Sequence, residues 1–137
     1  MGLDMFLTGD DYITSFGDTV REKRDGYPVA SYRVAIADWR KHAPLHCHIV
    51  NTYADGRDEC QEIELSRSDL LDIADAIESD RLPSNEECHG FFFGSPEWWD
   101  ELRAARHVHA QIFRDAAAWC ERGDDGAWRS CIYRASW

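Results

Sequence analysis

The sequence predicts an α+β domain: a mostly antiparallel sheet carrying about three helices, the longest of them following the GFFFGSPEWW motif. Three observations predict it. The opening GLDMFLT alternates with period two; two later stretches repeat their apolar residues at helical spacing; and extended and helical segments follow in the order β, β, α, β, α, short β, α, β. At 137 residues the chain is expected to form one domain spanning 1–137, with little room for a second core.

In the first segment Leu3, Met5 and Leu7 fall on one side and Asp4 and Phe6 on the other, as in a half-buried strand. Residues 8–28 are polar and turn-rich, with turns expected at Gly17 and at Asp25-Gly26. VASYRVAIADW is rich in β-branched and aromatic residues and reads as the second strand. Pro44 then suits the first turn of a short helix, PLHCHIVNTYA, because the N–H that proline lacks is not needed there, and Asp55-Gly56 reads as its stop. ECQEIELS is expected to be a strand. In SRSDLLDIADAIESD, Leu70, Ile73, Ala74 and Ile77 share a helix face, Ser66 or Ser68 can cap, and Asp69 lies near the positive end of the helix dipole.

After a loop, FFF has the composition of a short buried strand. SPEW is a helix start, with Ser95 as cap and Pro96 in the first position. Residues 98, 102, 105, 109, 112, 116 and 119 then advance by alternating fours and threes, predicting one long amphipathic helix that ends near Gly123. AWRSCIYRASW closes the chain as a strand.

Charge narrows the range of partners. The 26 acidic residues outnumber the 15 basic ones, giving a net charge of -11. Duplex nucleic acid and anionic membranes are both held through Lys and Arg, so neither is expected to bind directly. A protein with a basic surface is the expected partner, because opposite potentials steer encounter. Cys47, Cys60, Cys88, Cys120 and Cys131 are odd in number and widely spaced, with no CxxC. The N-terminus carries no secretory pattern, so the cytoplasm is the expected compartment, with the thiols free.

Signatures of chemistry are sparse. No G-x-S-x-G elbow and no Gly-rich phosphate loop occurs. His42, His46, Cys47 and His48 cluster in HAPLHCHI, but His46 and His48 are two apart and diverge on a helix. Four ligands for a structural zinc cannot be assembled, and no metal or cofactor is expected. His107 and His109 diverge in the same way; His109 falls on the apolar stripe and His107 outside it. If the chain is an enzyme, the expected machinery is the Trp39–His48 segment of a small hydrolase or nucleotide-processing enzyme, with His46 as general base and Arg40 or Lys41 holding an anionic substrate. For binding, the expected contact set is Glu97, Trp98, Trp99, Asp100 and Glu101, since large rings among charges dominate interface energetics. Adjacent tryptophans cannot both be buried by one helix face, and Trp137 is a further candidate for exposure.

MGLDM, Trp39-Arg40-Lys41 followed by Leu45-His46, DGRDEC, LP and GFFFGS before an aromatic pair together resemble a family of small proteins in bacteriophage and prophage genomes. The resemblance runs to about residue 113; residues 127–137 look like an addition. Members of that family carry tyrosines where this chain has Trp98 and Trp99, and an aromatic where it has His48, so only His46 of the histidine cluster matches. The resemblance implies a phage-infected or lysogenic bacterium. It suggests a stoichiometric protein that inhibits or redirects a host protein, including nucleic-acid-handling defence machinery in the manner of an anti-CRISPR protein.

Overall fold

The computed structural model describes residues 2–13, 22–84, 87–88, 95–122 and 127–137. It is α+β. Among these residues the strands are β1 (Asp4–Ile13), β2 (Lys23–Arg24), β3 (Tyr27–Pro28), β4 (Ser31–Arg40), β5 (Ile63–Leu65) and β6 (Ala127–Ser136). The helices are α1 (Ala43–Tyr53), α2 (Arg67–Glu78), α3 (Pro96–Ala104) and α4 (Arg106–Glu121). One sheet has the order β4-β1-β6-β5 with every neighbouring pair antiparallel; β2 and β3 form a separate hairpin.

Alternation places β1 as the sequence predicts. Leu3, Met5 and Leu7 are fully buried, whereas Phe6 is 42% exposed on the other face. The strand does not stop at Leu7. It runs through polar residues to Ile13 because β6 pairs with it along its whole length, from Asp4 opposite Ser136 to Ile13 opposite Ala127. Partners on both sides decide strand formation where local composition does not. Against β4 the register shifts between Leu7 and Thr8. The Asp25-Gly26 turn is where composition puts it: both residues have positive φ, 51° and 86°, as a tight hairpin turn requires. The turn expected at Gly17 and the strand expected at FFF lie outside the described residues.

Helix α1 carries Pro44 in its first turn and stops at Asp55 and Gly56, both at positive φ. Strand β5 is shorter than ECQEIELS suggests. The Gln61 side chain donates to Arg57 O at 2.6 Å and accepts from Glu59 N at 2.8 Å, which satisfies the preceding backbone locally and keeps it out of the sheet. A capping box closes α2: Ser66 Oγ accepts from Asp69 N, and the Asp69 carboxylate accepts from Ser66 N. Leu70, Ile73, Ala74 and Ile77 are all buried.

The long helix expected after Ser95 is two helices. Ala105 ends α3 and begins α4, with Ala105 N directed at both Glu101 O and Leu102 O. The buried face is Trp99, Ala110, Phe113, Ala116 and Ala117, about one position round from the predicted stripe. Burying Phe113 flush against the sheet, where its ring stacks on Trp39 at 5.4 Å and 7°, sets that rotation. The resulting core joins β1, β4, β5 and β6 to all four helices. Each fully buried Leu, Ile, Phe or Met in it contributes roughly 1.5–3 kcal/mol.

The cysteines depart from the expectation of five free thiols. Cys47 and Cys88 are bonded to each other, their Cα atoms 6.1 Å apart, which ties α1 to the segment after α2. Cys60, Cys120 and Cys131 are free.

Candidate functional site

Helix α3 begins at a serine cap: Ser95 has extended backbone, and its side chain accepts from Trp98 N. From that start the helix turns two faces to its surroundings. Residues 97, 98, 100 and 101 occupy one continuous arc, since positions three and four apart are neighbours on a helix. Glu97, Asp100 and Glu101 are exposed, and Trp98 is 39% exposed among them. The Trp98 indole is not loose: its Nε1–H donates to Arg40 O at 3.1 Å, anchoring α3 to the end of β4. The Glu97 carboxyl is held below the usual carboxylate range by its own backbone N–H at the helix start and by Ser95, so it stays ionised.

Of the five residues expected to form a contact set, four therefore share this outward arc. The fifth, Trp99, is 4% exposed and turns into the core. Trp137 is 45% exposed; its indole donates to Asp58 Oδ1 at 3.2 Å.

The Trp39–His48 segment is dispersed by the corner between β4 and α1. Lys41 sits at that corner with φ at 56°, and its N–H donates to Leu3 O at 2.7 Å. Arg40 points outward, 3.7 Å from the Asp4 carboxylate. His46 goes the other way, 2% exposed, with Nδ1 bonded to Tyr133 Oη at 2.7 Å and Nε2 to Asp58 Oδ2 at 2.9 Å. Burial raises the Tyr133 phenol well above its ordinary value, so its proton is retained. This Tyr–His–Asp chain joins β6, α1 and the loop after α1. Arg40 and Lys41 stand apart from it.

His48 packs edge-on against Tyr53, with its centroid 6.4 Å away, and burial pushes its pKa down. His107 is exposed and pairs with Glu78, while His109 accepts from Trp39 Nε1 at 3.0 Å. His42 caps α1, its Nδ1 accepting from Leu45 N at 3.4 Å, and its ring meets His109 edge-on at 5.3 Å. Burial lowers both. An imidazole nitrogen that accepts carries no proton, so both rings are neutral with the proton on Nε2.

Sequence reasoning did not find Tyr133 and Asp58 as partners of His46, because one lies 87 residues away and the other falls in an irregular loop. It also passed over Asp80, Arg103 and Arg106, which converge beneath α3. The signal was present in Arg103 and Arg106, one helical turn apart beside the tryptophan pair.

Among the described residues no three His, Cys, Asp or Glu side chains gather closely enough to hold a metal ion. None of the described helices is long and apolar enough to cross a membrane. No family model, no curated protein and no solved structure matches this chain.

Proposed function

We propose that this chain is an acidic binding protein of phage or prophage origin that acts in the cytoplasm of a host bacterium. It inhibits or redirects a host protein with a basic surface. The reading extends to nucleic-acid-handling defence machinery of the CRISPR kind, where an acidic surface can occupy a basic channel meant for a polyanion. The observation that carries it is the outward arc of α3, where Glu97, Asp100 and Glu101 surround the exposed Trp98 indole. A flat ring anchored at Nε1 buries contact area at low entropy cost, while the carboxylates supply long-range attraction and register. The overall charge of -11 adds to the steering.

Affinity purification from host lysate, read by mass spectrometry, tests the proposal. At about 50 mM salt a basic protein should co-purify in stoichiometric amount, and at about 500 mM it should be released. The variant Glu97→Lys/Asp100→Lys/Glu101→Lys should fail to retain it. An empty low-salt eluate, or a partner kept equally by the variant, contradicts the proposal.

Hydrolysis of an anionic substrate by His46, with Arg40 or Lys41, is the second reading. One observation favours it: the His46 ring is bonded to two side chains able to relay a proton, Tyr133 and Asp58. A phosphomonoester or nucleotide substrate panel tests it, with turnover abolished in His46→Gln as the supporting result and no turnover by the unsubstituted protein as the opposing one.

A further inference from the structure

The inward face of α3 closes over a cavity of about 450 Å³, within the range that small-molecule sites occupy. Its apolar walls include Trp99 and Leu102 from α3, Ile77 from α2, and Leu82. Its polar walls include His42, Asp80, Arg103 and Arg106. Local structure places each of them. Asp80 follows the last turn of α2 at φ 55°, an αL position that aspartate tolerates better than most residues, and Arg81 N returns to Ala76 O behind it. That turn aims the Asp80 carboxylate at Arg103, whose Nε donates to it at 3.0 Å. One positive charge is thereby neutralised.

The second is not. Arg106 spends Nη1 on Arg103 O at 3.2 Å, but its Nε is buried and meets no acceptor among the described residues. A buried donor left unmade is costly, more so when it is charged, and an always-ionised guanidinium cannot escape by losing its proton. Among the described lining residues the charges are Asp80, Arg103 and Arg106, with His42 neutral, which leaves one positive charge in surplus, while Asp100, outside that lining, lies 3.9 Å from Arg103. Because His42 Nδ1 already accepts from Leu45 N, the ring's proton on Nε2 is available as a further donor. Cation, neutral donor and apolar wall define complementary chemistry: an oxyanion attached to a flat hydrophobic body.

We propose that this cavity is a binding site for a small organic anion, a carboxylate or phosphate monoester borne on an aromatic ring. Arg106 holds the anion, and Trp99 and Leu102 flank the ring. The site lies on the opposite face of α3 from the acidic arc and does not depend on the partner-binding proposal.

Phenyl phosphate and benzoate are the probes, with benzylamine as the cationic control, each titrated against the full chain while the Trp99 indole and His42 ring resonances are followed by NMR. Saturable shifts of both resonances with at least one anion, and none with benzylamine, are expected; the tighter of the two anions identifies phosphate or carboxylate as the preferred group. Arg106→Met removes the guanidinium from the cavity wall and should weaken binding at least about tenfold. Arg106→Lys, which keeps the charge without the planar fork, should weaken it less, and serves alone if the first variant does not fold. No saturable shift by either anion up to about 20 mM overturns the proposal. Equal binding of benzylamine, or unchanged affinity in every folded Arg106 variant, overturns it as well.

Discussion

Trp98 and Trp99 are neighbours in sequence and opposites in environment: the first is 39% exposed and hydrogen-bonded to Arg40 O, the second 4% exposed against the core. Consecutive helical residues lie about 100° apart, so one face can bury only one of two adjacent indoles. Substitutions at the two positions should therefore separate stability from binding. Trp99→Ala should lower unfolding free energy by about 3–5 kcal/mol, the usual cost of emptying a large core site. Trp98→Ala should cost roughly 1 kcal/mol, mainly through its one hydrogen bond, yet weaken partner binding by at least about tenfold. Urea unfolding of each variant, beside the affinity for the captured partner, checks both halves.

Gly9 admits an equally local test. A Cβ there would come within 2.7 Å of Trp119 Cζ3 and 2.8 Å of Cη2, closer than atoms pack. The ring has little freedom to retreat, because Arg129 lies over it at 4.6 Å and donates from Nη1 to Trp119 O. Gly9→Ala should cost about 1–3 kcal/mol by overpacking. Thermal unfolding should show it, and the companion substitution Trp119→Leu should recover part of the loss.

Acid stability should be governed first by His42. Burial pushes its pKa down to about 3, from the ordinary value of 6.5. The unfolded chain therefore binds a proton below pH about 6.5 that the folded chain refuses until far lower pH, and stability falls as pH drops through that window. The loss should reach about 2 kcal/mol by pH 5, while stability above pH 7 is flat with respect to this group. His42→Asn keeps a side-chain acceptor for Leu45 N but cannot titrate, so unfolding curves between pH 7 and pH 5 should slope less steeply in the variant. Identical slopes would remove His42 as the cause.

Much of the fold was legible because period decides it locally. The β1 alternation, the α2 stripe with its Ser66–Asp69 box, Pro44 opening α1, and the Asp25-Gly26 turn all follow from a few adjacent residues. What was misread depends on distant partners. The extension of β1 to Ile13 needs β6 from the far end of the chain, and the break at Ala105 carries no Gly or Pro to announce it. The Cys47–Cys88 bond spans 41 residues with no spacing motif. The site was half legible. Charge and ring content marked residues 97–101, but which indole faces outward depends on how α3 is rotated against the sheet, and the Tyr133–His46–Asp58 chain and the Arg106 cavity arise only when separate elements meet.

The proposed function sets the acidic arc of α3 against a basic protein. Its most direct test is the affinity of the captured host protein for the unsubstituted chain and for Glu97→Lys/Asp100→Lys/Glu101→Lys, measured by calorimetry between about 50 and about 300 mM salt. A Kd that rises steeply with salt is expected for the unsubstituted chain, with binding by the variant at least about tenfold weaker at the lowest salt. A single Kd, indifferent to salt and to the reversal of those three charges, would contradict it.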